Sequence, residues 1–296
     1  MRISLILATV GRTEELCFAL GSIASQHKQP AEVIVVDQNP DDRLVPILQR
    51  AIEQGLLIRH LRCRPPGLSR ARNVGLLAAV GDIIAFPDDD CWYEPETLSR
   101  AAHALQQQPD CDGLVAQWAE QTSALGAEAM EVNGSALSLA HWRAFRGGDA
   151  SSISLFFRRE LMQRVGPFDE DLGAGAWFGA AEETDLLLRA LGLGAVLLRS
   201  TDVVVHHVCP QPGNLPTSVD EVRRVVRRSR GTGALYAKHG LTPYVIARGL
   251  VGPVLRSCWP FGRRPPIVLA LALVVGRMQG WWQWRRHRAT QFQTRQ

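Results

Sequence analysis

Four short apolar runs, Arg2–Thr9, Glu32–Asp37, Leu56–Leu61 and Ile83–Phe86, are separated by stretches of helical character, and that alternation narrows the fold more than any other feature of the chain. Strands with helices between them pair parallel, and the helices then cover both faces of the sheet. Val33-Ile34-Val35-Val36 is apolar at every position, as a strand buried on both sides requires. Thr13–Ser25 reads as the first helix, with Glu14 and Glu15 in the turn where acids complement the helix dipole. A second helix runs to about Gln54. A third spans Ser69–Ala79 with Ser69 at or near its N-cap, and a fourth Glu94–Gln107 with Pro95 at its start. Later strands are expected near Leu114–Trp118, Ile153–Phe157, Ala195–Leu198 and Val203–Val205, with helices at Glu160–Val165 and from Glu182 to a stop at Gly192. Residues 119–150 show no clear period.

With 46% hydrophobic and 21% charged residues the chain is not a disordered one. Its net charge of +4 conceals an asymmetry. From Asp220 to the C-terminus fifteen Lys and Arg face two acids, a net of +13, which leaves −9 on residues 1–219. The six cysteines form no C-x-x-C pair, which argues against a disulfide framework or a structural zinc and fits a reducing cytoplasm. The apolar start runs straight into Gly11-Arg12-Thr13-Glu14-Glu15, so it reads as a strand and helix rather than a signal peptide.

The Ile83–Phe86 run stops at Pro87 and is followed at once by Asp88-Asp89-Asp90. Three adjacent carboxylates repel one another, and folding alone does not call for them. A turn or helix cap would explain an isolated acid. A hard divalent cation would explain three, since such an ion prefers carboxylate oxygens and holds phosphates at the same time. In an open α/β sheet, ligands bind beyond the carboxyl ends of the strands, which is where this cluster falls.

The motifs together resemble the inverting family 2 glycosyltransferases of GT-A fold, of the bacterial surface-polysaccharide type. They are Thr9-Val10-Gly11-Arg12, Val35-Val36-Asp37, Gly67-Leu68-Ser69-Arg70-Ala71-Arg72-Asn73, Asp88-Asp89-Asp90, Glu182-Glu183-Thr184-Asp185 and His206, in the family's order over roughly residues 1–207. The resemblance implies an α/β, Rossmann-like, mostly parallel sheet flanked by helices. It implies transfer of a sugar from a nucleotide sugar, UDP first with GDP or dTDP as alternatives, to a hydroxyl of a glycan or lipid-linked acceptor. On it, Thr9, Arg12, Asp37, Arg64, Gly67, Arg72, Asn73, Asp88 and Asp89 hold the nucleotide sugar. Asp88, Asp90 and His206, with His207 as the alternative, hold Mg2+ or Mn2+. Glu183 stands where the family has the aspartate that serves as base, one methylene longer, with Glu182 and Asp185 as alternatives. The loop of Gly175, Trp177, Phe178 and Gly179 packs on donor sugar and acceptor, aromatic faces suiting sugar C–H surfaces.

A catalytic unit over 1–215 is thus expected to be followed by a basic, apolar helical region over 216–296. Arg223, Arg224, Arg227, Arg228 and Arg230 crowd one helix, and Ile267–Trp284 is apolar, interrupted by Arg277, and rimmed by Trp281, Trp282 and Trp284. That segment is too short and interrupted to span a bilayer. It fits a helix lying on an anionic membrane surface, which would put the protein in the cytoplasm on the inner face of the plasma membrane. A nucleotidyltransferase would need a glycine-rich, lysine-bearing loop after the first strand, which Thr9-Val10-Gly11-Arg12 lacks. A non-catalytic membrane scaffold would not need the acids, and nucleic-acid binding by the arginines ranks below membrane binding.

Overall fold

The structure, a computed structural model, describes residues 1–119, 135–145, 150–207, 218–259 and 266–293. The elements in order are β1 (Ile3–Thr9), α1 (Glu14–Ala24), β2 (Glu32–Asp37), α2 (Val45–Glu53), β3 (Ile58–Arg62), α3 (Leu68–Ala78), β4 (Ile83–Ala85), β5 (Cys91–Tyr93) and α4 (Thr97–Gln107). They continue as β6 (Gly113–Ala119), α5 (Leu139–Arg143), β7 (Leu155–Arg158), α6 (Arg159–Val165), α7 (Glu182–Gly192), β8 (Leu197–His207), α8 (Val219–Lys238), α9 (Pro243–Cys258) and α10 (Ile267–Gln293). The strands form one sheet in the order β3-β2-β1-β4-β7-β6-β8-β5. The β3-β2-β1-β4 half is parallel throughout, while β7 runs antiparallel to both β4 and β6.

Alternate residues of each central strand feed opposite cores. Leu5, Leu7, Val33 and Val35 pack under α1, α2 and α4, meeting Leu16, Leu20, Leu48 and Leu98. Ile6, Ile34, Val36 and Ile84 face the other way, toward Ala71 of α3 and Leu161, Leu186 and Leu187 of α6 and α7. Because both faces are apolar, the register must be fixed by pairing, and it sets the strand ends level. Thr9 lies opposite Asp37, and Asp37 opposite Arg62. Beyond β4, Asp88 bridges to Ala8, so the acid cluster stands at the carboxyl end of the parallel half.

Several local expectations shift. Helix α3 is capped by Gly67 rather than Ser69, whose hydroxyl instead donates to the Leu172 carbonyl at 2.6 Å. Pro95 lies outside α4, because Cys91–Tyr93 is used as a strand antiparallel to β8. The two short strands expected at 195–198 and 203–205 are one continuous β8 that carries both histidines within it, with a register irregularity against β6 between Val115 and Gln117.

The C-terminal helices pack onto the loop before α7. Phe178 is buried against Trp284 at 5.1 Å between ring centroids, together with Leu172, Ala234 and Leu235. The contact requires small residues. A Cβ on Gly231 of α8 would come within 2.1 Å of the Ala180 carbonyl, and one on Gly280 of α10 within 2.0 Å of the Arg230 carbonyl. Among the described residues no helix is long and apolar enough to cross a membrane.

Candidate active site

Two adjoining cavities, each of about 330 Å3, open at the carboxyl end of the parallel strands and share Leu68, Asp88 and Ala174 as common wall. The first is lined by Arg12, Gln38, Gly67, Asp89, Asp90, Gly175 and His207. The second holds Ser152, Gly179, Glu182 and Glu183, with Arg224, Arg227 and Arg228 opposite.

In the first cavity each acid has its own partner. Asp89 is buried and accepts from the Thr9 hydroxyl and from Arg12 Nη1, both at 2.7 Å. Arg12 also pairs with Asp90. Asp90 Oδ1 lies 3.1 Å from His207 Nε2. Burial alone would raise the Asp90 pKa, but the His207 hydrogen bond and the charges of His207 and Arg12 outweigh it and hold this carboxyl below its usual range. The same contact holds His207 above its ordinary value. Asp88 differs: burial raises it, although Arg72 Nη2 donates to its Oδ1 at 2.8 Å.

Strand periodicity decides which histidine joins this group. Successive side chains on β8 point to opposite faces. Opposite β5, Trp92 pairs with His206 and Cys91 with His207. His206 therefore stacks on the Trp92 ring at 5.2 Å and its Nε2 lies 2.9 Å from Glu94 Oε1, away from the acids. His207 and not His206 thus stands beside the acids, and the Nδ1 atoms of both rings are buried without a hydrogen-bond partner.

Arg72 ties the two cavities together. It is 1% exposed, and besides Asp88 it donates to Glu182 Oε1 at 3.0 Å and to the Ser152 hydroxyl at 2.6 Å. This arginine holds carboxylates in place instead of reaching a base or phosphate. Glu182 and Glu183 open α7 after Ala181, which takes a left-handed conformation at φ 80°. Burial and the hydrogen-bonded Glu182 carboxyl beside it raise the Glu183 pKa well above that of an ordinary glutamate.

Asp185 is not brought to the cavity. It is fully buried and meets Arg189 Nε at 2.9 Å, Lys238 Nζ at 2.7 Å and His239 Nε2 at 2.8 Å. Burial works against its charge, but the His239 hydrogen bond and the charges of Lys238 and Arg189 outweigh it and lower its pKa, so Asp185 anchors the end of α8 away from the cavity. Asp37 is likewise 0% exposed and committed, accepting from the Asn39 backbone and side chain and lying 2.9 Å from His60 Nε2. Its neighbour Gln38, which the sequence did not single out, lines the cavity and accepts from the Gly67 N–H at 2.7 Å. Arg64 donates to the Asn39 carbonyl outside the cavity lining. Asn73 clasps Phe168, donating to its carbonyl at 2.9 Å and accepting from its N–H at 2.8 Å, on the far side of α3.

The loop splits between two duties. Gly175 lines the first cavity at φ +90°, and a Cβ there would sit 3.1 Å from the Gly67 Cα. Gly179 lines the second cavity against the Arg227 stem. The aromatics line neither cavity. Trp177 bonds Gln283 through its indole N–H and carries the Arg230 guanidinium 3.9 Å over its ring, and Phe178 lies in the cluster with Trp284.

The profile described as "Glycosyl transferase family 2" matches residues 4–166, more than half of the chain. The chain belongs to glycosyl transferase family 2. Among curated relatives, the uncharacterized glycosyltransferase YwdF of Bacillus subtilis is 31% identical over 36% of the chain and 39% of its own length. Glycosyltransferase AglE of Haloferax volcanii is 26% identical over 72% of the chain and 69% of its own. The first of these relatives is thus matched over well under half of its length. Two solved structures share the fold. The Staphylococcus aureus TarS fragment 1–349 in complex with UDP-GlcNAc has a TM-score of 0.58 at 16% identity, covering 97% of this chain and 92% of that one. The mannosyltransferase PcManGT from Pyrobaculum calidifontis, in complex with GDP-Man and Mn2+, has a TM-score of 0.58 at 18% identity, covering 94% and 73%. Both comparisons cover nearly the whole of this chain.

Proposed function

We propose that the chain is an inverting, cation-assisted glycosyltransferase that moves a sugar from a nucleotide sugar to a hydroxyl of a glycan or lipid-linked acceptor in cell-surface polysaccharide synthesis. The observation that carries the reading is the shared wall at Asp88: an acid-lined cavity at the strand ends on one side, a basic carboxyl on the other. Among the described residues no ready cluster of three metal-ligating side chains exists. The donor set nevertheless fits a hard cation, because Asp90 and His207 both line the cavity side by side, while Arg12 neutralises acids that an ion could neutralise in its place. Asp90 and His207, supported by Asp88, would hold Mg2+ or Mn2+, which when bound neutralises the charge developing on a diphosphate leaving group.

The chain's own groups account for the rest. Gln38, Gly67 and Arg12 would seat the nucleotide, with UDP first and GDP or dTDP as alternatives. Glu183 would take the proton from the acceptor hydroxyl on the face opposite the leaving group. Its raised pKa makes it the stronger base, and Arg72 holds the Glu182 carboxyl in place beside it. A thermal-shift screen of UDP, GDP and dTDP with and without Mn2+ tests the reading. One nucleotide should raise Tm in a Mn2+-dependent way, and no shift with any of them would refute it.

The acid limb of the pH profile carries a further expectation. Glu183 acts only when ionised, and its pKa is raised, so activity should climb with pH through a range above that of an ordinary glutamate. A profile of kcat/KM that is already flat from pH 5 upward would contradict this.

We also place the protein at an anionic membrane surface, on the inner face of the plasma membrane. Tyr244, Val251 and Leu255 on α9 and Leu271, Val275 and Met278 on α10 recur at helical spacing and are all half or nearly half exposed or more. Arg256, Arg285 and Arg286 stand exposed next to them, a pairing that suits acidic lipid. Sedimentation with phosphatidylglycerol vesicles should carry the protein down at low salt and less at high salt. Equal binding to phosphatidylcholine would contradict it.

A further inference from the structure

The N-terminal half of α8 lies outside the matched family region, yet it forms a wall of the second cavity. Arg224, Arg227 and Arg228 stand at i, i+3 and i+4, so one helix face presents three guanidinium groups side by side. Like charges at this spacing disfavour the helix. Neighbours on the same helix are provided for: Arg223 pairs with Asp220 at 3.3 Å, and Arg230 meets Gln279 and the Trp177 ring. Among the described residues the three cavity arginines have no hydrogen-bonded or ion-paired partner. Of the three acids that share the cavity, Glu182 and Asp88 are engaged by Arg72, and among the described residues Glu183 forms no ion pair with the three arginines.

We propose that Arg224, Arg227 and Arg228 form an anion subsite that receives a phosphate group of the acceptor, close to the hydroxyl that attacks. The proposal rests on the reading of Glu183 as base, because the attacking hydroxyl must lie against it and the arginines line that same cavity. A donor diphosphate belongs instead with Arg12, Asp90 and His207 across the shared wall. Phosphate suits three planar guanidiniums better than a single carboxylate does, since its oxygens accept several N–H forks at once and carry more charge. Gly179 keeps the subsite open, as any Cβ there would displace the Arg227 stem from 2.9 Å away. The phosphate can come from a lipid-phosphate acceptor or from a phosphodiester polymer.

The test is calorimetric titration of the full chain, saturated with Mg2+ and UDP, by inorganic phosphate and then by glycerol 3-phosphate. Wild type and the triple variant R224Q/R227Q/R228Q are compared, after circular dichroism has shown both folded, with R227Q alone as the milder second variant. Saturable phosphate binding that weakens about tenfold or more in the triple variant is expected, since each charge-assisted bond contributes substantially. UDP affinity should change by less than about twofold, because the nucleotide lies in the other cavity and the charge effect is screened. Phosphate binding unchanged by the substitutions would overturn the proposal. So would a parallel loss of UDP affinity, which would assign the arginines to the donor diphosphate. A wild-type chain that binds none of UDP, GDP or dTDP would fail the glycosyl-transfer reading instead, and the acceptor assignment with it. Competition by a short polyprenyl phosphate in detergent against a glycerol-phosphate oligomer separates the two sources; neither competing would count against an acceptor phosphate.

Discussion

Glu183→Gln is expected to lower transfer by about a hundred- to ten-thousandfold, the range a positioned general base contributes. The amide keeps the size and the hydrogen-bonding reach of the side chain at the head of α7 but cannot accept a proton. The nucleotide cavity across Asp88 is untouched, so affinity for the donor should stay within about twofold. The loss should fall on kcat rather than KM, since a proton taken only as the new bond forms is a transition-state interaction. Stopped-flow or discontinuous assay of released nucleotide, with donor affinity measured separately, provides both numbers. Turnover at the wild-type rate would move the base to Glu182, whose carboxylate is held by Arg72 at 3.0 Å and so is the weaker candidate. Asp185 is not a fallback, for its ring of Arg189, Lys238 and His239 leaves it no basicity.

Arg72→Met should cost about 3 kcal/mol of folding stability, measured as a lower urea midpoint at unchanged slope. Removing one member of a buried ion network strands the others, a loss that typically reaches 3–5 kcal/mol. The lower end applies because the Asp88 side chain keeps 30% exposure, although Glu182 keeps only 7%. The deficit has a pH signature. Burial already holds the Asp88 carboxyl above its usual range although Arg72 opposes the shift, and without the guanidinium it rises further, so the variant's folded state favours the protonated form more strongly. Its contribution is then full below the unfolded pKa and lost as pH rises through the folded one. The variant should therefore lag wild type most at neutral pH and above, and approach it as pH falls toward 4. A constant deficit across that range would mean that Arg72 acts by packing alone, for instance on the Phe168 ring that lies 5.5 Å from it.

The parts of the site carried by strand ends were legible in the sequence because apolar runs stop where the sheet stops. Thr9, Arg12 and the three aspartates all fall where that reasoning places them, on the first cavity or its immediate support. What could not be read depends on parity and on distant packing. His206 and His207 are indistinguishable until the pairing of β8 with β5 fixes which one points at Asp90. The strand Cys91–Tyr93 is only three residues long and leads into Glu94-Pro95, so local signals favoured a helix start. Trp177 and Phe178 carry the composition of a sugar-binding loop, but their surroundings come from α8 and α10, fifty to more than a hundred residues later. The glycine contacts that let those helices approach, Gly231 on Ala180 and Gly280 on Arg230, leave no periodic trace. Arg72 and Asn73 sit in a motif whose pattern suggests ligand binding, whereas burial turns one into a counter-ion and the other into a clasp.

Calorimetric titration of the nucleotide selected by the thermal-shift screen, in the presence of Mn2+, tests the central claim most directly when wild type is set beside Asp90→Asn. The account predicts one saturable site in the wild-type chain that weakens at least about tenfold in the variant and on omission of Mn2+. Identical affinity in both proteins, with or without the cation, would contradict it.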